Sequence, residues 1–244
     1  MNDIVTIVRK ELKVYWYARG SLRSRLLSYL PILLIFGVVM PLQDRESWTE
    51  GPVPGLIFMM LPFILSAHTV ADSFAGERER HTLETLLATR LSDRDIYLGK
   101  VLAAVIYSVG MAWICALLSW VTLNVTRPEG PMFMYSSPML AMIGVGALLM
   151  GLLTAAAGVL VSLRAATVRS AAQVFSMITL ALFVGGPLLL KVLPESGKAW
   201  LERTLSGVNV TAVGVGVALV VLAVDVGLLL AGIARFQCKK LLLE

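Results

Sequence analysis

Residues 76–100 read GERERHTLETLLATRLSDRDIYLGK, and they lie between two long apolar runs. Only 15% of the chain is charged, yet this stretch holds ten charged side chains and a histidine. Read as a helix from about 74 to 88, it places Leu83, Leu86 and Leu87 on one side and Glu77, His81 and Glu84 on the other. Glu77/Arg80 at i,i+3 and Arg80/Glu84 at i,i+4 are the expected supporting ion pairs. Ser92-Asp93-Arg94-Asp95 then forms a Ser-x-x-Asp capping box, which starts a second helix that continues into the next apolar run. The spacing predicts two helical pieces joined by a turn. A merely solvated loop requires no such order.

Outward from this stretch, the chain has 244 residues, 57% of them hydrophobic, with a mean hydropathy of +0.80. A soluble domain could not hide that much apolar surface in one core. A helical span takes roughly 17–25 mostly apolar residues. Six runs qualify: 26–42, 55–75, 101–125, 138–163, 171–193 and 208–234. The expected fold is an all-α integral membrane protein with a single transmembrane domain over 1–244. Residues 1–25 would form an N-terminal cytoplasmic or interfacial helix, and 76–100 a cytoplasmic segment between spans 2 and 3. The connections QDRESWTEGPVP, TRPEGPMFMYSS and PESGKAWLERTLSG are short and turn-rich, so no separate soluble or nucleotide-binding domain is expected. In the last of them, Trp200, Leu201 and Leu205 recur at roughly helical spacing.

The 21 Lys and Arg are sorted by side. Sixteen fall before span 1, between spans 2 and 3, between spans 4 and 5, or after span 6; five fall in the other connections. The positive-inside rule therefore puts both termini in the cytoplasm, and the chain is expected in the plasma (inner) membrane. It also accounts for the net charge of +5 without nucleic acid. The charged first 25 residues are unlike a cleaved signal peptide, and the N-terminus is expected to be retained. Cys115 and Cys238 point to neither a disulfide nor a metal site. The two Asn-x-Thr matches, at Asn124 and Asn209, sit at membrane edges and carry little information.

At the N-terminus, Ile4, Ile7, Val8, Leu12 and Tyr15 recur at helical spacing, with Arg9, Lys10 and Lys13 largely opposite. This predicts an amphipathic helix at the membrane surface, with Tyr15, Trp16 and Tyr17 at headgroup level. Within span 4, Ala147, Gly151 and Ala155 recur every four residues, flanked by Gly144, Gly146 and Gly158. Small residues let helix backbones approach closely in lipid, so a tight helix contact is expected there. Pro31, Pro62 and Pro187 interrupt spans, as membrane helices tolerate when neighbours satisfy the freed carbonyls.

Ionisable groups inside a membrane are costly and default to functional candidates. His68 and Asp72, four apart on one face of span 2, and Asp225 in span 6 form a possible intramembrane polar site. The plainer reading pairs Asp72 with Arg78 at the boundary, has His68 satisfy Asp72, and gives Asp225 an inter-helix hydrogen bond. The sequence carries no His-Glu-x-x-His, Gly-x-Ser-x-Gly or Gly-x-x-x-x-Gly-Lys pattern, so neither a catalytic nor a metal centre is expected, and no cofactor on this chain.

The stretch ERERHTLETLLATRLSDRDIYLGK resembles the signature segment of the type-two ATP-binding-cassette (ABC) exporter permeases. There a Glu-Arg pair is followed by Gly-Thr-Leu-Glu, two leucines, a Thr-Pro turn and an acidic start of span 3 that ends in Gly-Lys. On this resemblance Glu77, Arg78, Thr82, Leu83, Glu84, Leu86, Leu87, Thr89, Ser92, Gly99 and Lys100 hold family positions. His81 stands where glycine is usual and Arg90 where proline is usual. Lys10-Glu11-Leu12 and the six-span plan extend the likeness over the whole chain. It implies a permease that works as a pair, most simply a homodimer in membrane lipid. It also implies a separate ATPase subunit that carries ATP and Mg, with Glu77, Arg78, Thr82, Leu83, Glu84, Leu86, Leu87 and Thr89 in the coupling element. The alternative is a non-transporting membrane anchor or sensor that recruits a cytoplasmic protein through the same loop.

Overall fold

The computed structural model describes residues 2–17, 22–81, 91–126, 132–165, 167–181 and 210–235, with isolated positions between 185 and 197. The N-terminal amphipathic segment is α1, Asn2–Tyr17. The first apolar run is α2, Leu22–Leu34, a π-helical turn at Ile35–Val39, and α3, Met40–Gln43. A short α4, Arg45–Thr49, is capped by Asp44, whose carboxylate accepts from the Ser47 amide at 3.2 Å. The second run is α5, Val53–Glu79, and the third is α6, Asp93–Val125. The fourth is α7, Ser137–Ala141, a second π turn at Met142–Gly146, and α8, Ala147–Arg164. Then come α9, Val168–Leu180, and α10, Val210–Arg235. No strand occurs among the described residues.

Four stretches are long and apolar enough to cross a membrane: Val53–Glu79, Asp93–Val125, Ser137–Leu163 and Ala212–Ala234. The first run contributes a shorter apolar helix over Tyr29–Gln43. The fifth is described only to Ala181, so Pro187 and the 200–205 spacing lie outside the described residues.

Ser92 caps α6 as its spacing predicts, accepting from the Asp95 amide at 3.2 Å. The preceding joint differs from expectation. No separate helix starts near Phe74; α5 runs unbroken to Glu79, because its last turn is packed and bonded on several sides. The chain turns at Arg80 and His81, and His81 has φ 54°. That left-handed conformation favours glycine, and His is among the side chains that tolerate it better than most. The residue that departs from the family pattern thus marks the end of the helix.

The core is built around α6, which packs against α1, α5 and α8. The small-residue stripe of α8 finds its neighbours within this chain. Ala147 and Ala155 are buried. A Cβ on Gly151 would come within 2.9 Å of Val109 on α6, and one on Gly158 within 2.6 Å of Phe175 on α9. Ile7, Val8 and Tyr15 of α1 are buried, with Ile4 and Leu12 partly so, against α6 rather than in lipid; Arg9, Lys10 and Lys13 face outward. At the opposite end of α6, Ser119 accepts from the Trp48 indole at 2.7 Å, and Asn124 exchanges hydrogen bonds with the Phe133 backbone. α10 packs chiefly on α8 and leaves most of its surface uncovered.

Candidate functional site

The charged stretch between α5 and α6 is described at its two ends. Thr82, Leu83, Glu84, Leu86, Leu87 and Thr89 lie outside the described residues. The ends meet at one junction. Glu11 stands on the buried face of α1, one turn beyond Ile7 and Val8; Glu77 lies one turn beyond Ser73 on α5; Lys100 lies one turn beyond Ile96 on α6. Gly99 permits the approach, since a Cβ there would sit 2.7 Å from Ile7.

The Lys100 side chain is 1% exposed, and its ammonium lies 3.1 Å from Glu11 Oε1, 3.1 Å from Glu77 Oε1 and 2.8 Å from the Ser73 carbonyl oxygen. Three donors thus meet three acceptors. The ammonium also stands 4.8 Å above the Phe74 ring. Lys10, half exposed, adds a second cation 3.3 Å from Glu77. An isolated buried charge is expensive, and such a cluster holds only while every member is present. Its effect is registration: α1, α5 and α6 satisfy these charges in one relative setting.

The same last turn of α5 binds two further helices. Arg78 donates to the carbonyls of Ala165 at 2.8 Å and Leu163 at 3.1 Å, filling orphan acceptors at the end of α8. Glu79 accepts from the Val168 amide at 2.9 Å, at the start of α9. One turn back, Ser162 of α8 accepts from the Phe74 and Ala75 amides and donates to the Ala71 carbonyl. α1, α6, α8 and α9 are therefore all fastened to the α5 end of the charged stretch.

Two expected pairings are replaced. Asp72 is bound by Arg80, at 2.9 and 3.0 Å, and not by Arg78, which is taken by α8. Glu77 in turn pairs with the lysines and not with Arg80, because it faces α1 and α6 while Arg80 folds back over the exposed side. The side chain of His68 lies outside the described residues. Asp225 is fully buried, and among the described residues neither carboxylate oxygen has a hydrogen-bond partner. α8, its main neighbour, spends its hydroxyls elsewhere: Thr154 donates to Met150 and Ser162 is engaged by α5. Asp72 belongs to an exposed ion pair and Asp225 to the packing face of α10.

Sequence reasoning did not single out Glu11 as a buried ion, or Ser162. A signal existed for Glu11, which lies on the apolar face of an amphipathic helix. Beside it, Tyr15 is held neutral: burial first, then the Glu11, Asp72 and Glu77 carboxylates, push its hydroxyl well above the ordinary phenol range.

A helical bundle without strands among its described residues, with four stretches able to cross a membrane and a charged inter-helix stretch fastened to four other helices, defines an all-α membrane domain. The ABC-2 type transporter family matches residues 2–202, from α1 through α9 and across the whole charged stretch, and the chain belongs to that family. It is accordingly a multi-pass membrane protein, the permease component of an ABC transporter, a system whose ATP-binding subunit is a partner. No curated protein sequence matches the chain.

Proposed function

We propose that this permease is the membrane half of an ATP-driven exporter that works as a pair of copies, with substrate passing between them. Residues 76–100 are its joint to a separate ATPase, which holds ATP and Mg and performs the hydrolysis; this chain needs no cofactor. One observation carries the coupling part of the reading. The last turn of α5 is tied by charged and polar contacts to α1, α6, α8 and α9, so displacing the adjoining segment moves four helices together. Directional bonds of this kind transmit a displacement, whereas apolar surfaces can slide past one another. Leu83, Leu86 and Leu87 would seat in the ATPase, with Glu84 and its neighbours orienting the contact.

Pairing is supported by the outward stripe of α6, where Leu102, Ile106, Trp113, Leu117 and Val121 are all about half exposed. Export as the direction and the plasma membrane as the location rest on the signature resemblance, and the placing of both termini inside rests on the distribution of Lys and Arg.

The test is purification of the tagged chain from its host's membranes in mild detergent, with mass spectrometry of what accompanies it. An ABC ATPase is expected at about equal stoichiometry and is expected to be lost on Leu86→Asp at unchanged permease abundance. An ATPase retained in Leu86→Asp and Leu87→Asp refutes the joint; none recovered from the unaltered chain moves the anchor or sensor reading to the front. A cysteine at Thr89 that reacts only from outside the cell inverts the orientation.

A further inference from the structure

The two π turns share a sequence. PILLIFGVV, 31–39, and PMLAMIGVG, 138–146, both place Pro four residues ahead of the turn, Leu at the third position, and Gly-Val at its centre. Each turn has slipped from the regular ladder: the Met40 amide reaches the Ile35 carbonyl and the Ala147 amide reaches the Met142 carbonyl, five residues back. A π turn carries one residue more than the α-helix it interrupts, and such turns occur frequently at functional sites. In both turns α6 supplies a side-chain donor to a backbone carbonyl. Thr122 donates to the Gly37 carbonyl at 2.8 Å, and the Trp113 indole donates to the Ile143 carbonyl at 3.0 Å.

The two differ in room. At Gly37 a Cβ would meet Leu118 of α6 at 2.6 Å, so that turn is clamped against its neighbour. At Gly144 nothing lies within 4 Å of the Cβ position. Toward the charged end of the bundle, α8 is fixed by Ala147, Gly151 and Ala155 against α5 and α6. On the other side of the turn, Leu140 and Val145 are 51% and 60% exposed. On its other side the same turn is packed on α5, where a Cβ on Gly146 would meet Met59 at 2.8 Å and Met142 lies against Gly55, so the open side of the turn is the one that Gly144 and Val145 present.

We propose that the Met142–Gly146 turn is a swivel. With the indole of Trp113 on the Ile143 carbonyl the extra residue stays in the turn. When that bond is released the turn relaxes to regular α-helix, α8 keeps its place, and α7 moves past it by one residue. Such a step rotates α7 by about 100° and shifts it by about 1.5 Å along the axis. The Ile35–Val39 turn, filled by Leu118, stays as it is and serves as the fixed counterpart. The inference is independent of how an ATPase docks.

The test uses the full chain with Cys115→Ala and Cys238→Ser, spin-labelled at Leu140→Cys and Val125→Cys, diluted with unlabelled copies in lipid nanodiscs. Pulsed-EPR distances are expected to show a main and a minor population, and Trp113→Phe, which keeps the ring and removes the donor, is expected to raise the minor one about fivefold, the factor one hydrogen bond of ordinary net strength carries. A second label pair, Leu148→Cys with Val125→Cys, is expected to stay unchanged, and Thr122→Val is expected to leave the Leu140 pair unchanged. An unaltered Leu140 distribution in Trp113→Phe, or an equal shift in the Leu148 pair, overturns the swivel. Should Trp113→Phe fail to insert, deletion of Gly144 removes the extra residue directly. It is expected to leave only the minor distance, and persistence of both populations overturns the proposal.

Discussion

Lys100→Met removes the one cation that α1, α5 and α6 share. Its ammonium is 1% exposed and has three acceptors at 2.8–3.1 Å, two of them carboxylates. Methionine fills similar volume but leaves Glu11 and Glu77 buried with only the half-exposed Lys10 between them. Breaking a buried ion pair by deleting one partner costs about 3–5 kcal/mol, because the remaining charge is uncompensated. Replacing the whole set by neutral groups of like shape is often close to neutral. The single substitution is therefore expected to lose about 3–5 kcal/mol, and the triple variant Lys100→Met/Glu11→Gln/Glu77→Gln to recover most of it. The assay is unfolding of the purified permease in mixed dodecylmaltoside and SDS micelles, followed by tryptophan fluorescence. A single variant that loses under about 1 kcal/mol, or a triple variant less stable than the single one, would refute the view that the cluster registers the three helices.

Arg78→Lys keeps the charge but not the fork that reaches two carbonyls, and Arg78→Met keeps neither; losses of about 1 and about 2 kcal/mol are expected in the same unfolding assay. At His81, with φ 54°, glycine is expected to match or raise stability, while Val is expected to lower it by about 1–2 kcal/mol through its Cβ in the left-handed region. Gly158→Leu drives a side chain into Val70 and Phe175 and is expected to cost about 1–3 kcal/mol, seen as a lower monodisperse fraction in size-exclusion chromatography; Gly144→Ala, facing open space, leaves that fraction unchanged.

The helical class, the apolar runs and the buried face of α1 were legible because each follows from periodicity over many residues: Ile4, Ile7, Val8, Leu12 and Tyr15 are the side chains that turn inward. What α1 packs on was not legible. An amphipathic face is equally suited to lipid and to another helix, and only the placement of Glu11 opposite Lys100 decides for α6. The break at Arg80 and His81 falls inside the helix read over 74–88, because GERERHTLETLL keeps a helical pattern straight through it. Glu77 and Arg78 were singled out from the signature, but Leu163 and Ala165, which Arg78 binds, lie 85 and 87 positions away, and Lys10, which Glu77 binds besides Lys100, lies 67 positions before it. The π turns escaped because inserting one residue hardly disturbs an all-apolar pattern.

The pairing of Glu11 with Lys100 spans 89 residues, and that separation sets an order of events during synthesis. At roughly 5–20 residues per second, about 4–18 s pass before Lys100, the buried partner of Glu11, has been made. Until then Glu11 stays hydrated and the apolar face of α1 rests on whatever is at hand, the bilayer surface first. The sequence pattern that reads as a membrane-surface helix thus describes the waiting state of the newborn chain, and the buried lysine calls the helix in only after the start of α6 has been made.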